Sequence, residues 1–153
     1  LSKYFVFTGA PLNAADALAL GIVSRLVPAA DVTAAINELA DTEKPDKYRH
    51  RELPEKFAPL ASMFSGENVA VLLEGKPPAD APAELAERII KFIGYKAPLA
   101  LRMASEIIDL QEGLTIPQAI EVELGRVEEI FSTADALEGL SSLGSGRPKF
   151  QGA

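Results

Sequence analysis

A chain of 153 residues with 48% apolar and 24% charged side chains can bury one core, which excludes wholesale disorder. Fifteen basic side chains against 22 acidic ones give a net charge of −7, which repels a phosphate backbone and argues against nucleic acid as a partner. Zero cysteines rule out disulfides and thiolate-bound zinc. No apolar run reaches bilayer length and no basic-then-apolar leader opens the chain, so a cytoplasmic protein without membrane contact is expected.

The chain opens on an apolar run, Tyr4–Phe7. Asn13 is then placed to cap a helix over 14–20, with Asp16 able to reach back, and Gly21 stands where a left-handed residue stops it. Residues 22–27 read as a short strand that Pro28 ends, and a second helix is expected over 31–40. The stretch "DTEKPDKYRHRELPEK" (41–56) is charged, holds two prolines and lacks apolar periodicity, as a linker or exposed loop does. His50, between two arginines in that stretch, reads as solvated surface and is given no chemistry.

From Phe57 onward the pattern is helical. Short helices fit 58–64 and 68–74, the latter entered from Ser65 and stopped at Gly75. After the proline-rich turn "GKPPADAP", an amphipathic helix is predicted over 83–95, with Leu85, Ile89, Phe92 and Ile93 at helical spacing. Pro98 suits the first turn of the next helix, whose stripe is Leu99, Met103, Ile107 and Leu110 and whose end is Gly113. Thr115 is expected to cap one helix carrying Ile116, Ile120, Leu124, Val127 and Phe131 along a single face. Thr133 starts a last helix with Leu137, Leu140 and Leu143, which Gly144 ends, and the tail "SGRPKFQGA" is irregular. Each stripe is read as core packing.

The acids opposite those stripes read as solvated surface. Glu121 and Glu128, seven apart, give only a weak suggestion of an acid/base pair, because helical periodicity produces such pairs by chance. No nucleophile elbow, phosphate loop, dinucleotide fingerprint or zinc-protease motif is present, so no catalytic residue and no metal ligand is assigned. Arg147 and Lys149 stand in a stretch with no acid after Glu138, which favours an anion; a basic solvated tail is the plainer account on local grounds.

Three stretches in the right order add a family resemblance. "FVFTGAPLNAADALALGIVSRLVP" resembles the crotonase (enoyl-CoA hydratase/isomerase) pattern of Thr-Gly, polar turn, Ala-rich helix, Gly-Ile-Val and Val-Pro. "KAPLALRMAS" is similar to that family's Ser/Ala-Pro helix start, and "DALEGLSSLGSGRPKF" to its closing signature of Asp, Glu-Gly and a basic–Pro–x–Phe tail. The chain departs from the pattern where Leu143 replaces a tail aromatic, where Gly144-Ser145-Gly146 replaces a charged stretch, and in the added segment between Asp41 and Ala83.

The resemblance implies a mostly α chain, the C-terminal helical part of a crotonase fold with one or two short strands near its N-terminus. The expected division is the end of the crotonase core (1–40), a charged linker (41–56) and a helical domain (57–153). The implied parent hydrates enoyl-CoA thioesters in fatty-acid or related acyl-CoA degradation, with a fusion to a 3-hydroxyacyl-CoA dehydrogenase as one context. Its oxyanion hole and catalytic carboxylates are expected upstream, so this part lines the acyl-CoA pocket, assembles a homo-oligomer and packs on the upstream half. Arg147, Lys149 and Phe150 are the implied contacts to coenzyme A, which enters as substrate and not as a bound cofactor. Self-association through exposed Tyr4, Phe5, Val6 and Phe7 and through the helices follows from the same picture. The alternatives are a 3-hydroxyisobutyryl-CoA hydrolase-like thioesterase and, from another class, a non-catalytic helical interaction module.

Overall fold

The computed structural model describes residues 1–41, 52–144 and 146–153. Ten α-helices occupy them: α1 (Ser2–Thr8), α2 (Ala14–Ala19), α3 (Val32–Ala40), α4 (Ala58–Met63), α5 (Asn68–Leu73), α6 (Ala83–Ile93), α7 (Pro98–Leu110), α8 (Ile116–Leu124), α9 (Val127–Phe131) and α10 (Ala134–Ser141). The mostly α reading therefore holds. The expected strand does not form: residues 22–27 carry no ladder, and no strand occurs among the described residues. A strand needs a partner for its backbone N–H and C=O groups, and apolar β-branched content cannot supply one. The first amides of that segment belong instead to the helix stop. Gly21, at φ 75°, donates to Leu18 O, and Ile22 donates to Ala17 O at 2.9 Å, a Schellman closure.

The chain divides into two compact units, residues 11–58 and residues 1–10 with 59–153. This cuts the sequence differently from the expected 1–40, 41–56 and 57–153, because the N-terminal apolar run is a helix that packs on α6 and α7. Phe7 has no exposed surface and meets Phe64 edge-to-face at 5.9 Å; Tyr4 meets the same ring at 5.5 Å. The expectation of exposed aromatic surface on this run is thus corrected for Phe7, while Val6 is exposed. Lys3 Nζ lies 2.7 Å from the Asp109 carboxylate and ties α1 to the end of α7.

In this larger unit α7 is the hub, touching α1, α5, α8 and α9. The core is Phe7, Leu60, Met63, Phe64, Val69, Leu72, Ala86, Ile89, Ile93, Leu101 and Met103. On α6 the buried line is Ala86, Ile89 and Ile93, and Phe92 points out. The expected helix from Thr115 to Phe131 is two, broken at Gly125 and Arg126. Glycine lowers helix propensity there, and the Arg126 guanidinium donates to Glu106 of α7 at 2.9 Å and to Glu129 at 3.3 Å, which fixes the elbow. The stripe reading fails on α8 to α10: Ile116, Leu124, Phe131, Leu137, Leu140 and Leu143 are all more than half exposed.

The smaller unit is built on caps and ion pairs. Asn13 Oδ1 accepts from Asp16 N–H at 2.8 Å, the cap expected from sequence. Lys56 pairs with Asp16, and Arg25 reaches Glu38 at 3.2 Å and the carbonyl of Ala35 at 3.1 Å. Of its described residues only Phe57 is buried. His50 and most of the expected linker lie outside the described residues.

Candidate functional site

The three tail residues singled out in the sequence come together in one cleft, of about 390 Å³, between the α6–α7 junction and residues 147–150. Pro98 starts α7 at its first position, where its missing N–H costs nothing, and the preceding turn carries Tyr95 and Lys96 to the cleft wall. Arg147 stacks its guanidinium 4.2 Å from the centre of the Tyr95 ring. Lys149 and Phe150 complete the wall with Pro148. Three cations line the cleft and no acid does. Among the described residues none of the three takes part in an ion pair. A concave surface with unpaired cations and an aromatic face suits an anionic ligand that carries a ring or an apolar arm.

The tail is held by α10. Thr133 caps this helix, its Oγ1 accepting from Ala136 N–H at 3.1 Å. Two residues on, Asp135 is almost wholly buried, and its two carboxylate oxygens accept from Gln151 N–H at 2.6 Å and Gly152 N–H at 2.9 Å. Its own N–H donates to the carbonyl of Ala153 at 3.0 Å. Glu138 Oε1 accepts from Lys149 N–H at 2.8 Å. Phe150 lies over Gly139, where a Cβ would stand 3.5 Å from the ring. The Asp, Glu-Gly and Pro-x-Phe elements of the closing signature are thus two halves of one contact, a helix face and the strand of backbone it grips.

The cleft brings together Arg147, Lys149 and Phe150, which the sequence singled out, with Tyr95 and Lys96, which it did not; Asp135 was not singled out either. Tyr95 and Lys96 follow a helix whose signal was its apolar stripe, and nothing local announces an aromatic facing a segment fifty residues away. Asp135 looks like an ordinary first-turn acid. The weak pairing of Glu121 with Glu128 is not supported: they sit on α8 and α9, on either side of the Gly125 break, and both are exposed. Among the described residues no group of three histidine or acidic side chains could hold a metal ion, and no helix is long and apolar enough to cross a membrane.

A family model described as enoyl-CoA hydratase/isomerase matches residues 1–151. Comparisons with curated proteins and with solved structures give no significant match.

Proposed function

The chain belongs to the enoyl-CoA hydratase/isomerase family, and from that premise we propose that it serves as the helical part of an enzyme acting on acyl-CoA thioesters, its cleft receiving the phosphates of coenzyme A. The observation that carries this reading is the set of three unpaired cations beside an aromatic ring. Phosphates are the densest anions a CoA thioester offers, and Arg and Lys ends on a solvent-facing wall can bind them with little burial of charge. In such enzymes backbone N–H groups stabilise the thioester enolate while carboxylates move protons. We assign no residue of this chain to those steps. Its contribution is to hold the nucleotide end and so place the acyl end elsewhere.

Isothermal titration with CoA and with pantetheine tests the reading. CoA should bind and pantetheine, which lacks the nucleotide phosphates, should bind far more weakly. Replacing both Arg147 and Lys149 by Ala should weaken CoA binding by roughly 1 kcal/mol per solvent-facing contact, about fivefold each, and added salt should shrink the difference. Equal loss for both ligands would assign the tail to the fold and remove the CoA role. The chain alone should not hydrate crotonyl-CoA, since each oxyanion donor is worth about 3–4 kcal/mol and none is assigned here. Turnover above buffer would place catalytic carboxylates among the surface acids.

The exposed stripes of α8 to α10 favour a second role, association with another copy or with the rest of a larger assembly.

A further inference from the structure

Two acids of α10 face the basic tail, yet both are used on its backbone. Asp135 takes the N–H groups of Gln151 and Gly152, and Glu138 takes that of Lys149. An acid beside a lysine would ordinarily be expected to neutralise its ammonium. Here the carboxylates satisfy amides that would otherwise lose water on docking, and neither Arg147 nor Lys149 takes part in an ion pair among the described residues. A buried carboxylate is tolerated because it sits in the first turn of α10, where the helix N-terminus favours negative charge, and because both its oxygens accept hydrogen bonds.

We propose that Asp135 is a positioning residue for the cleft: by gripping residues 151 and 152 it fixes the register of the tail, and so places Arg147 on Tyr95 and Lys149 on the cleft wall. The inference rests on the proposed CoA role of that cleft for its functional meaning. Its structural half, that Asp135 sets the Arg147 position, stands apart from any ligand. Gly152 supports the same register. At φ 75° it turns the tail beside Pro98, at the start of α7.

The test compares the chain with Asp135→Ala, Asp135→Asn and Gln151→Pro. The proline variant removes one donor to the carboxylate and leaves α10 untouched, so it decides the matter if an Asp135 variant fails to fold. Two ligand-free readouts are followed by NMR. One is amide exchange at Lys149, Gln151 and Gly152, with α7 amides as the control. The other is the ring-current shift of the Arg147 side chain from Tyr95. Isothermal titration with CoA is the third. In Asp135→Ala the tail amides should exchange at least about tenfold faster with α7 unchanged, since one charge-assisted hydrogen bond is worth that much. The Arg147 shift should collapse toward its free value, and CoA affinity should fall about tenfold. Asp135→Asn, which keeps one acceptor, should lie between, and Gln151→Pro should move the Arg147 shift the same way. An unchanged Arg147 shift with faster tail exchange would overturn the proposal, and so would loss of protection throughout α7. If the unaltered chain binds no CoA, the cleft's proposed function falls, while the exchange and ring-current results still decide whether Asp135 sets the register.

Discussion

Helices α6 and α8 carry apolar residues at the same spacing and end in opposite surroundings. On α6, Ala86, Ile89 and Ile93 are buried in the core; on α8, Ile116 and Leu124 face solvent, as do Phe131 of α9 and Leu137 of α10. Periodicity decides that a helix forms and which way its face turns. Whether anything covers that face depends on what the rest of the chain can bring there, and α1 packs on α6 and α7 while α5 packs on α7. The contrast also separates the two sources of stability in the larger unit, a packed half and a half held by Arg126 and by caps.

The largest expected effect tests the packed half. Phe7→Ala should cost about 3–5 kcal/mol in urea unfolding, because it removes a fully buried ring from beside Phe64. Leu137→Ala, at an equally periodic position, should stay within about 0.5 kcal/mol. Similar costs at the two sites would mean that the α10 face is covered in solution.

Next in size is an effect on association. The chain should gain mass with concentration in sedimentation, and glutamate in place of both Leu124 and Phe131 should return it toward monomer, because a charge cannot be buried unpaired in an apolar contact. A monomer at all concentrations before substitution would show that these stripes are simply solvated.

The smallest effect lies on a fully exposed pair. The Lys76 ammonium donates to Glu74 at 2.9 Å and, with its charge, holds that carboxyl below its ordinary range. A folded value below the unfolded one contributes stability above the unfolded pKa and loses it as pH falls through the folded value. Lys76→Ala should raise the Glu74 midpoint toward the ordinary range in an NMR titration while leaving the unfolding midpoint unmoved. A clear loss of stability would make this surface pair more than a local contact.

What could be read from the residues alone was local chemistry. Asn13 and Thr133 cap the helices they precede, and Gly21 closes one by the left-handed geometry its position suggests. The failures are of reach. Residues 22–27 have strand composition and no strand to pair with among the described residues, and the break at Gly125 depends on Arg126 finding Glu106 on another helix. At the cleft, Arg147 and Lys149 stood out because no acid follows Glu138, and Lys96 did not. The grip of Asp135 was not, since the sequence shows a first-turn acid and cannot show whose amides it meets.

The smaller unit, 11–58, has a thermal consequence that follows from how little it buries. With Phe57 the one buried residue among those described, and with Asp16–Lys56 and Arg25–Glu38 among its cross-links, its described part exposes little new apolar surface when it opens. Unfolding heat capacity scales with such surface, so calorimetry should assign nearly all of it to the larger unit. The opening of residues 11–58 should instead respond to ionic strength, since solvent-facing ion pairs weaken within a Debye length of about 8–10 Å. Moderate salt should therefore expose this stretch to a protease while the helices around Phe7 keep their melting temperature.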